Sequence, residues 1–323
     1  MLDANQREAV YLPVSQSVIV EAPPGHGKTF VMAKRINHLI KTGEVKAPKK
    51  ILGLTFTNAA ASEMLDDIKT HVGIKDLDAL RVLTFHSLAY KILRAYGNLI
   101  GIDKNFQIIG EVEQKELIDK SKKDLSLDLE ENEYREWMTE VLLKQKKDYD
   151  SSFAENAKAV HDVYLTKLGE KLDYTSLLVK AIQLLEEIPA VLKMYRSVFR
   201  YILVDEFQDT NPLQYKLLSL LALGCDSSSQ TEEVVQTPVF ILADEEQAIF
   251  RFQGATPDNI QLAQSDFYCE KINLEVNYRC KSVGINNLTK AMRGTKATPV
   301  FSDQPLLTIS PTPVRPQTFR THT

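Results

Sequence analysis

Four short runs of apolar residues rise out of a polar background: Val18-Ile19-Val20, Ile51-Leu52-Gly53-Leu54-Thr55, Tyr201-Ile202-Leu203-Val204 and Val239-Phe240-Ile241-Leu242. Arg81-Val82-Leu83-Thr84 repeats the plan with a charged first residue. Unbroken apolar runs of this length are what strands of a parallel sheet look like when both faces are covered. Between them the period changes to that of amphipathic helices, from Phe30 to about Ile40, from Ala59 onward, from Leu88 to Tyr96 closed by Gly97, and from Leu213 to Leu223. A short helix opens the chain, with Asp3 as its cap and Leu2, Ala9 and Val10 turned inward. From about Glu111 to Arg200 the pattern is charged and helical throughout, which predicts an all-helical insertion within an α/β domain, with Trp137 in its core. Lysine runs there, such as Lys144-Gln145-Lys146-Lys147, are a solvated face or a surface that steers a nucleic-acid strand.

The chemistry gathers where the apolar runs end. After the first comes Ala22-Pro23-Pro24-Gly25-His26-Gly27-Lys28-Thr29, which reads as a phosphate-binding loop. A triphosphate is met there by backbone N–H groups at a helix N-terminus, by a lysine, and by a hydroxyl that ligates Mg²⁺. Ala22 stands where the first glycine of such a loop is usual, and the two prolines donate nothing. From Gly25 through His26 and Gly27 to Lys28 and Thr29 every residue keeps its N–H, so the anion nest is intact. The Tyr201–Val204 run delivers a second signal, Asp205-Glu206-Phe207-Gln208-Asp209-Thr210. It places one carboxylate to hold Mg²⁺ and a second to orient or deprotonate an attacking water. Joined to Lys28 and Thr29, the pair predicts a nucleotide-hydrolase site.

Other strand ends add candidates. Phe56 and Asn58 follow the second run, at the carboxyl end where open α/β sheets bind ligands. His86 follows the Arg81–Thr84 run and is otherwise an ordinary turn histidine. Gln247 lies just beyond the last run, and Phe250 and Phe252 are spaced to point the same way, either as packing or as stacking surfaces for unpaired bases. Gln6 is either a solvated helix residue or an amide for the edge of adenine. Arg279 is a candidate for charge on the γ-phosphate, and Tyr278 for stacking on the base.

Composition narrows these readings. At 323 residues, with 44% hydrophobic and 25% charged positions, the chain is long enough for two or three domains of ordinary globular make-up. A net charge of −4 gives no global basic signature, so any nucleic-acid surface must be local. Cys225, Cys269 and Cys280 lack paired spacing, against both a disulfide framework and a zinc site. With no apolar run long enough to span a bilayer and charges at Asp3, Arg7 and Glu8, the expected location is the cytoplasm, with no membrane partner.

In this order, over Leu2 to about Leu288, the segments resemble the UvrD/Rep type of superfamily 1 DNA helicase. The resemblance implies a RecA-like motor domain in two parts, 1–110 and 201–280, split by a helical insertion at 111–200, with residues 281–323 starting a second motor domain and running into an extended, proline- and threonine-rich tail. It implies ATP and Mg²⁺ as cofactors and single-stranded DNA as partner. By it Gln6 reads adenine, Lys28 and Thr29 hold phosphate and metal, Asp205 is the metal carboxylate and Glu206 the base, Gln247 senses the γ-phosphate and Arg279 is finger-like. Phe56, Asn58 and His86 match strand-contacting segments, and Phe250 and Phe252 match stacking positions. Phe30 stands where the family usually has arginine, so a base sandwich here would pair Phe30 with Tyr278 or be lost. Ala59, Phe252 and Gln253 likewise replace a common lysine, tryptophan and arginine. Only 44 residues follow Arg279, too few for a second motor domain. The expectation is an ATP-binding first half of a 3′-to-5′ helicase, poor at hydrolysis and unable to unwind alone: a truncated product, a fragment, or one part of a split enzyme whose second motor domain a partner protein supplies. The alternatives are a nucleotide-gated regulatory module and the motor part of a helicase–nuclease assembly.

Overall fold

The computed structural model describes residues 2–72, 77–142, 149–224, 236–244 and 258–279. Six strands, β1 (Val18–Glu21), β2 (Lys50–Thr55), β3 (Leu80–Thr84), β4 (Phe199–Val204), β5 (Val239–Ala243) and β6 (Glu270–Asn273), form one sheet in the order β3-β2-β4-β5-β1-β6. Every pairing is parallel. The chain therefore leaves β1 for β2, skips two positions that β4 and β5 fill later, and returns to β1's other side with β6. Because all strands point one way, their carboxyl ends share one edge of the sheet, where doubly wound folds bind ligands.

Alternate residues of the strands face two apolar layers. Ile19, Leu52, Leu54, Ile202, Val204, Val239 and Ile241 pack against α4 (Phe85–Tyr96), α8 (Tyr174–Glu187), α9 (Pro189–Val198), α10 (Pro212–Leu223) and α11 (Asp258–Asp266). Val18, Val20, Ile51, Tyr201, Leu203, Phe240, Leu242 and Ile272 face α1 (Ala4–Tyr11), α2 (Lys28–Lys41) and α3 (Asn58–Val72). Two-sided burial is why the central strands read as solid apolar runs rather than alternating ones. Gly53 serves the second layer, since a Cβ there would lie 3.1 Å from Met64 Sδ of α3.

Within the helical stretch, α5 (Glu111–Asp124), α6 (Glu131–Leu142) and α7 (Ser151–Leu168) keep cores of their own. One is built on Leu129, Tyr134, Trp137, Met138, Ala157 and Val160, the other on Ile109, Tyr164 and Leu168. The following α8 and α9 instead supply the sheet layer. Residues 1–276 form one unit and 277–323 a second, of which 277–279 are described. No helix among the described residues is long and apolar enough to cross a membrane.

Candidate nucleotide-binding site

The phosphate loop is built by β1, two prolines and two left-handed glycines. Ala22 N–H donates to Ala243 O of β5 at 3.0 Å, which fixes where the chain leaves the sheet. Gly25 (φ 84°) and Gly27 (φ 83°) adopt a region that residues with a Cβ rarely enter. Gly27 is the N-cap of α2 and supplies no side-chain acceptor. The first N–H groups of α2 are therefore left for an outside anion, at the positive end of the helix dipole. His26 is buried, its Nδ1 3.1 Å from Pro24 O, so its ring ties down the loop entry.

Gln6 is also buried, at 1% exposure, and is not the solvated residue its helical position allowed. It completes a capping box with Asp3, and its amide nitrogen reaches toward His26 O at 3.5 Å. The adenine candidate thus stands one contact away from the phosphate loop.

The acidic half comes from β4. Asp205 N–H continues the sheet ladder to Leu54 O at 3.0 Å, and Glu206 follows in a left-handed conformation (φ 47°, ψ 47°) uncommon for a residue with a side chain. That twist aims its carboxylate back across the sheet edge. Lys28 Nζ and Glu206 Oε2 lie 3.3 Å apart although 178 positions separate them in sequence. Glu206 N–H donates to Asp205 Oδ1 at 3.0 Å. Burial and the neighbouring Glu206 carboxylate push the Asp205 acid up to about 6, against the opposing pull of Lys28. Asp209 is raised to about 6 by burial and Glu206 in the same way. Its Oδ1 is buried with no hydrogen-bond partner among the described residues.

Three carboxylates thus face one ammonium, with one buried oxygen unsatisfied. Such a site fits a hard divalent cation, whose charge would return the acids to their ionised forms. Among the described residues no group of three ligating side chains gathers to hold a metal by itself. Mg²⁺ takes one or two protein ligands and completes its shell with phosphate oxygens and water.

The flanking strand ends share one design. Thr57 Oγ1 accepts from Ala60 N–H at the start of α3, and Thr84 Oγ1 from Ser87 N–H at the start of α4. Phe56 is half-buried and Asn58 exposed beside the first cap. His86, beside the second, sits edge-on to Tyr174 with ring centroids 5.4 Å apart, and burial lowers its pKa toward the neutral form. Phe30, partly buried in the first turn of α2, carries the Lys34 ammonium 5.3 Å from its ring centre. Gln247, Phe250 and Phe252 lie outside the described residues. Tyr278 and Arg279 belong to the second unit, where Tyr278 is exposed and Arg279 N–H donates to the Asn277 side chain at 3.0 Å. Sequence patterning passed over Gln208, Asp209 and Asp244. The first two were within the quoted acidic motif, so their signal was position alone.

A glycine-bent anion loop joined through Lys28 to a strand-borne Asp-Glu pair, on the carboxyl edge of a parallel sheet, defines a RecA-like α/β domain of the phosphate-loop class. The chain belongs to the UvrD/REP helicase family, whose N-terminal domain matches residues 2–268. Among its relatives, the ATP-dependent DNA helicase PcrA of Staphylococcus aureus is 31% identical over 305 residues, covering 90% of this chain and 40% of the relative. PcrA of Leuconostoc citreum is 32% identical over 288 residues, 85% of this chain and 37% of its own. DNA helicase II of Haemophilus influenzae is 31% identical over 301 residues, 88% and 39%. The chain thus spans about 40% of the length of such relatives. A solved structure, the DUF1998 helicase MrfA bound to DNA, aligns over 86% of this chain and 28% of its own at 13% identity, with a TM-score of 0.36 that adds nothing to the assignment.

Proposed function

We propose that these residues are the ATP-binding and strand-binding part of a DNA helicase, taking Mg-ATP at the phosphate loop and single-stranded DNA along the neighbouring strand ends. The observation that carries this reading is the 3.3 Å contact of Lys28 with Glu206, which joins the two halves of the site. The N–H groups of Gly25, Gly27, Lys28 and Thr29 and the Lys28 ammonium bind the phosphates, the His26 N–H being donated within the loop to Pro23 O at 3.3 Å. The Thr29 hydroxyl and Asp205 would hold Mg²⁺, which would supply positive charge to neutralise the phosphates. In the structure Lys28 and Glu206 are paired with each other. A triphosphate replaces Glu206 as the anion of Lys28, and the released carboxylate is then free to accept a proton from water attacking the γ-phosphorus as the bond to ADP breaks.

By correspondence with the family's motifs, Gln6 reads adenine with Phe30 beside the base and Gln247 meets the γ-phosphate, while Tyr278 corresponds to a base-stacking position and Arg279 to a finger-like arginine. Phe56, Asn58 and His86 lie at the carboxyl ends of β2 and β3, on the same edge of the sheet as the loop. With Phe250 and Phe252 they supply stacking and polar contacts to an unpaired strand. Unwinding is not assigned to these 323 residues alone, since they span about 40% of the relatives named for it.

Fluorescence anisotropy of a labelled single-stranded oligonucleotide, titrated with the protein at several salt concentrations, tests the strand-binding half. The expected result is an affinity that falls steeply with salt and drops about tenfold in Phe56→Ala. A protein that binds Mg-ATP but no single strand would instead favour a nucleotide-gated regulatory module.

A further inference from the structure

Gln208 is 3% exposed and lies in the short turn Phe207–Asp209 that follows Glu206. Its side chain makes two hydrogen bonds in opposite directions. The amide nitrogen donates to Glu206 Oε2 at 2.7 Å, the same oxygen that faces Lys28. The amide oxygen accepts from the backbone N–H of Asp244 at 3.0 Å. The Asp244 N–H can only donate, so the two ends of the amide are not interchangeable: oxygen must face β5 and nitrogen must face the carboxylate. With Lys28 and Gln208 both on Oε2, the other carboxylate oxygen of Glu206 takes no hydrogen bond among the described residues.

We propose that Gln208 is a positioning residue, a buried lever that holds the Glu206 carboxylate by one end and the carboxyl end of β5 by the other. The role rests on Glu206 acting as the base, as proposed above. Asp244 is 2% exposed and stands three positions before Gln247 in sequence. A displacement of that backbone pulls on the amide and hence on the carboxylate. Conversely, when Lys28 leaves Glu206 for a phosphate, Gln208 remains as the donor that keeps Oε2 in place and turns Oε1 to the water. The left-handed backbone of Glu206 makes such a tether necessary, because local conformation alone does not favour the orientation.

The two bonds can be separated. Gln208→Glu keeps an acceptor for the Asp244 N–H and loses the donor to Glu206, whereas Gln208→Leu loses both. In the full 323-residue protein the readouts are affinity for a fluorescent ATP analogue with Mg²⁺, single-turnover hydrolysis with single-stranded DNA present, and hydrogen exchange at the Asp244 amide. The lever predicts that Gln208→Glu retains Asp244 protection and binds nucleotide within about threefold of wild type, yet hydrolyses at least about tenfold more slowly with little change in KM. Wild-type hydrolysis by Gln208→Glu, or a rate lost only where Asp244 protection is also lost, overturns it in favour of a purely structural bond.

A thermal double-mutant cycle reads the contact without nucleotide. Glu206→Ala and Gln208→Ala together should shift the unfolding midpoint by at least about 1 °C less than the sum of the single shifts. Additive shifts overturn the lever. A wild-type protein that binds no Mg-ATP would sink the functional reading while leaving the cycle's outcome standing, so the two failures are distinct.

Discussion

Helix α2 carries two inward cations, Lys28 at its first position and Arg35 two turns on, and their surroundings differ in kind. Arg35 is fully buried and finished. Its guanidinium donates to Val10 O at 3.0 Å, to Leu12 O, to Pro13 O at 3.2 Å and to the Tyr201 hydroxyl at 3.1 and 3.2 Å, with that ring's centre 5.1 Å away. The carbonyls end α1, whose dipole presents negative charge there. No carboxylate is among these contacts, and Arg35 bolts α1, α2 and β4 together. Lys28 keeps 11% of its side chain exposed and holds one oxygen of a strained glutamate, beside two acids lifted to about 6. Burial is therefore a poor mark of function here. What separates the two places is incompleteness: every strong contact of Arg35 is closed, while Asp205, Glu206 and Asp209 share the Lys28 ammonium.

Three substitutions put the difference between Lys28 and Arg35 to the test. The largest effect is expected from Arg35→Leu, which strands three carbonyls and a hydroxyl and should cost on the order of 3 kcal/mol of stability in denaturant unfolding. An unchanged midpoint would show that the bolt does not hold.

Next, and of opposite sign, is Asp205→Asn. An acid whose folded pKa is raised to about 6 contributes stability that is full below the unfolded value near 4 and lost as pH rises through 6. In nucleotide- and metal-free protein the asparagine variant should therefore be more stable at pH 7.5 by roughly 2 kcal/mol, with the gap closing toward pH 4. A constant gap across that range would rule out the charge crowding. Tyr201→Phe should be mildest, costing about 1 kcal/mol through the lost hydroxyl while leaving Mg-ATP affinity unchanged. A comparable loss of nucleotide affinity would blur the line between bolt and site.

The physics also explains which parts sequence alone could show. β1, β2, β4 and β5 were visible because two-sided burial writes an unbroken apolar run. β6 was not: on this edge strand only Ile272 of Glu270–Asn273 is buried, so no run forms. Lys28 and Asp205-Glu206 were evident because their types and flanking strands are tied to phosphate chemistry. Arg35 reads as one more polar helix position until α1 and Tyr201 close around it. Gln208 sat inside a recognised motif, yet its significance depends on a backbone N–H from another strand, which no local pattern encodes. The packing of α8 and α9 on the sheet, rather than with α5 to α7, is likewise decided by tertiary contacts that helical periodicity does not carry.

In the proposed function the unfinished end of α2 is completed by a magnesium-bound triphosphate. Calorimetric titration of Mg-ATP into wild type and Lys28→Ala, repeated with EDTA, reads that completion. One site is expected in wild type, weakened at least about thirtyfold both by Lys28→Ala and by removal of Mg²⁺. Equal affinity in wild type and Lys28→Ala, insensitive to the metal, would contradict it.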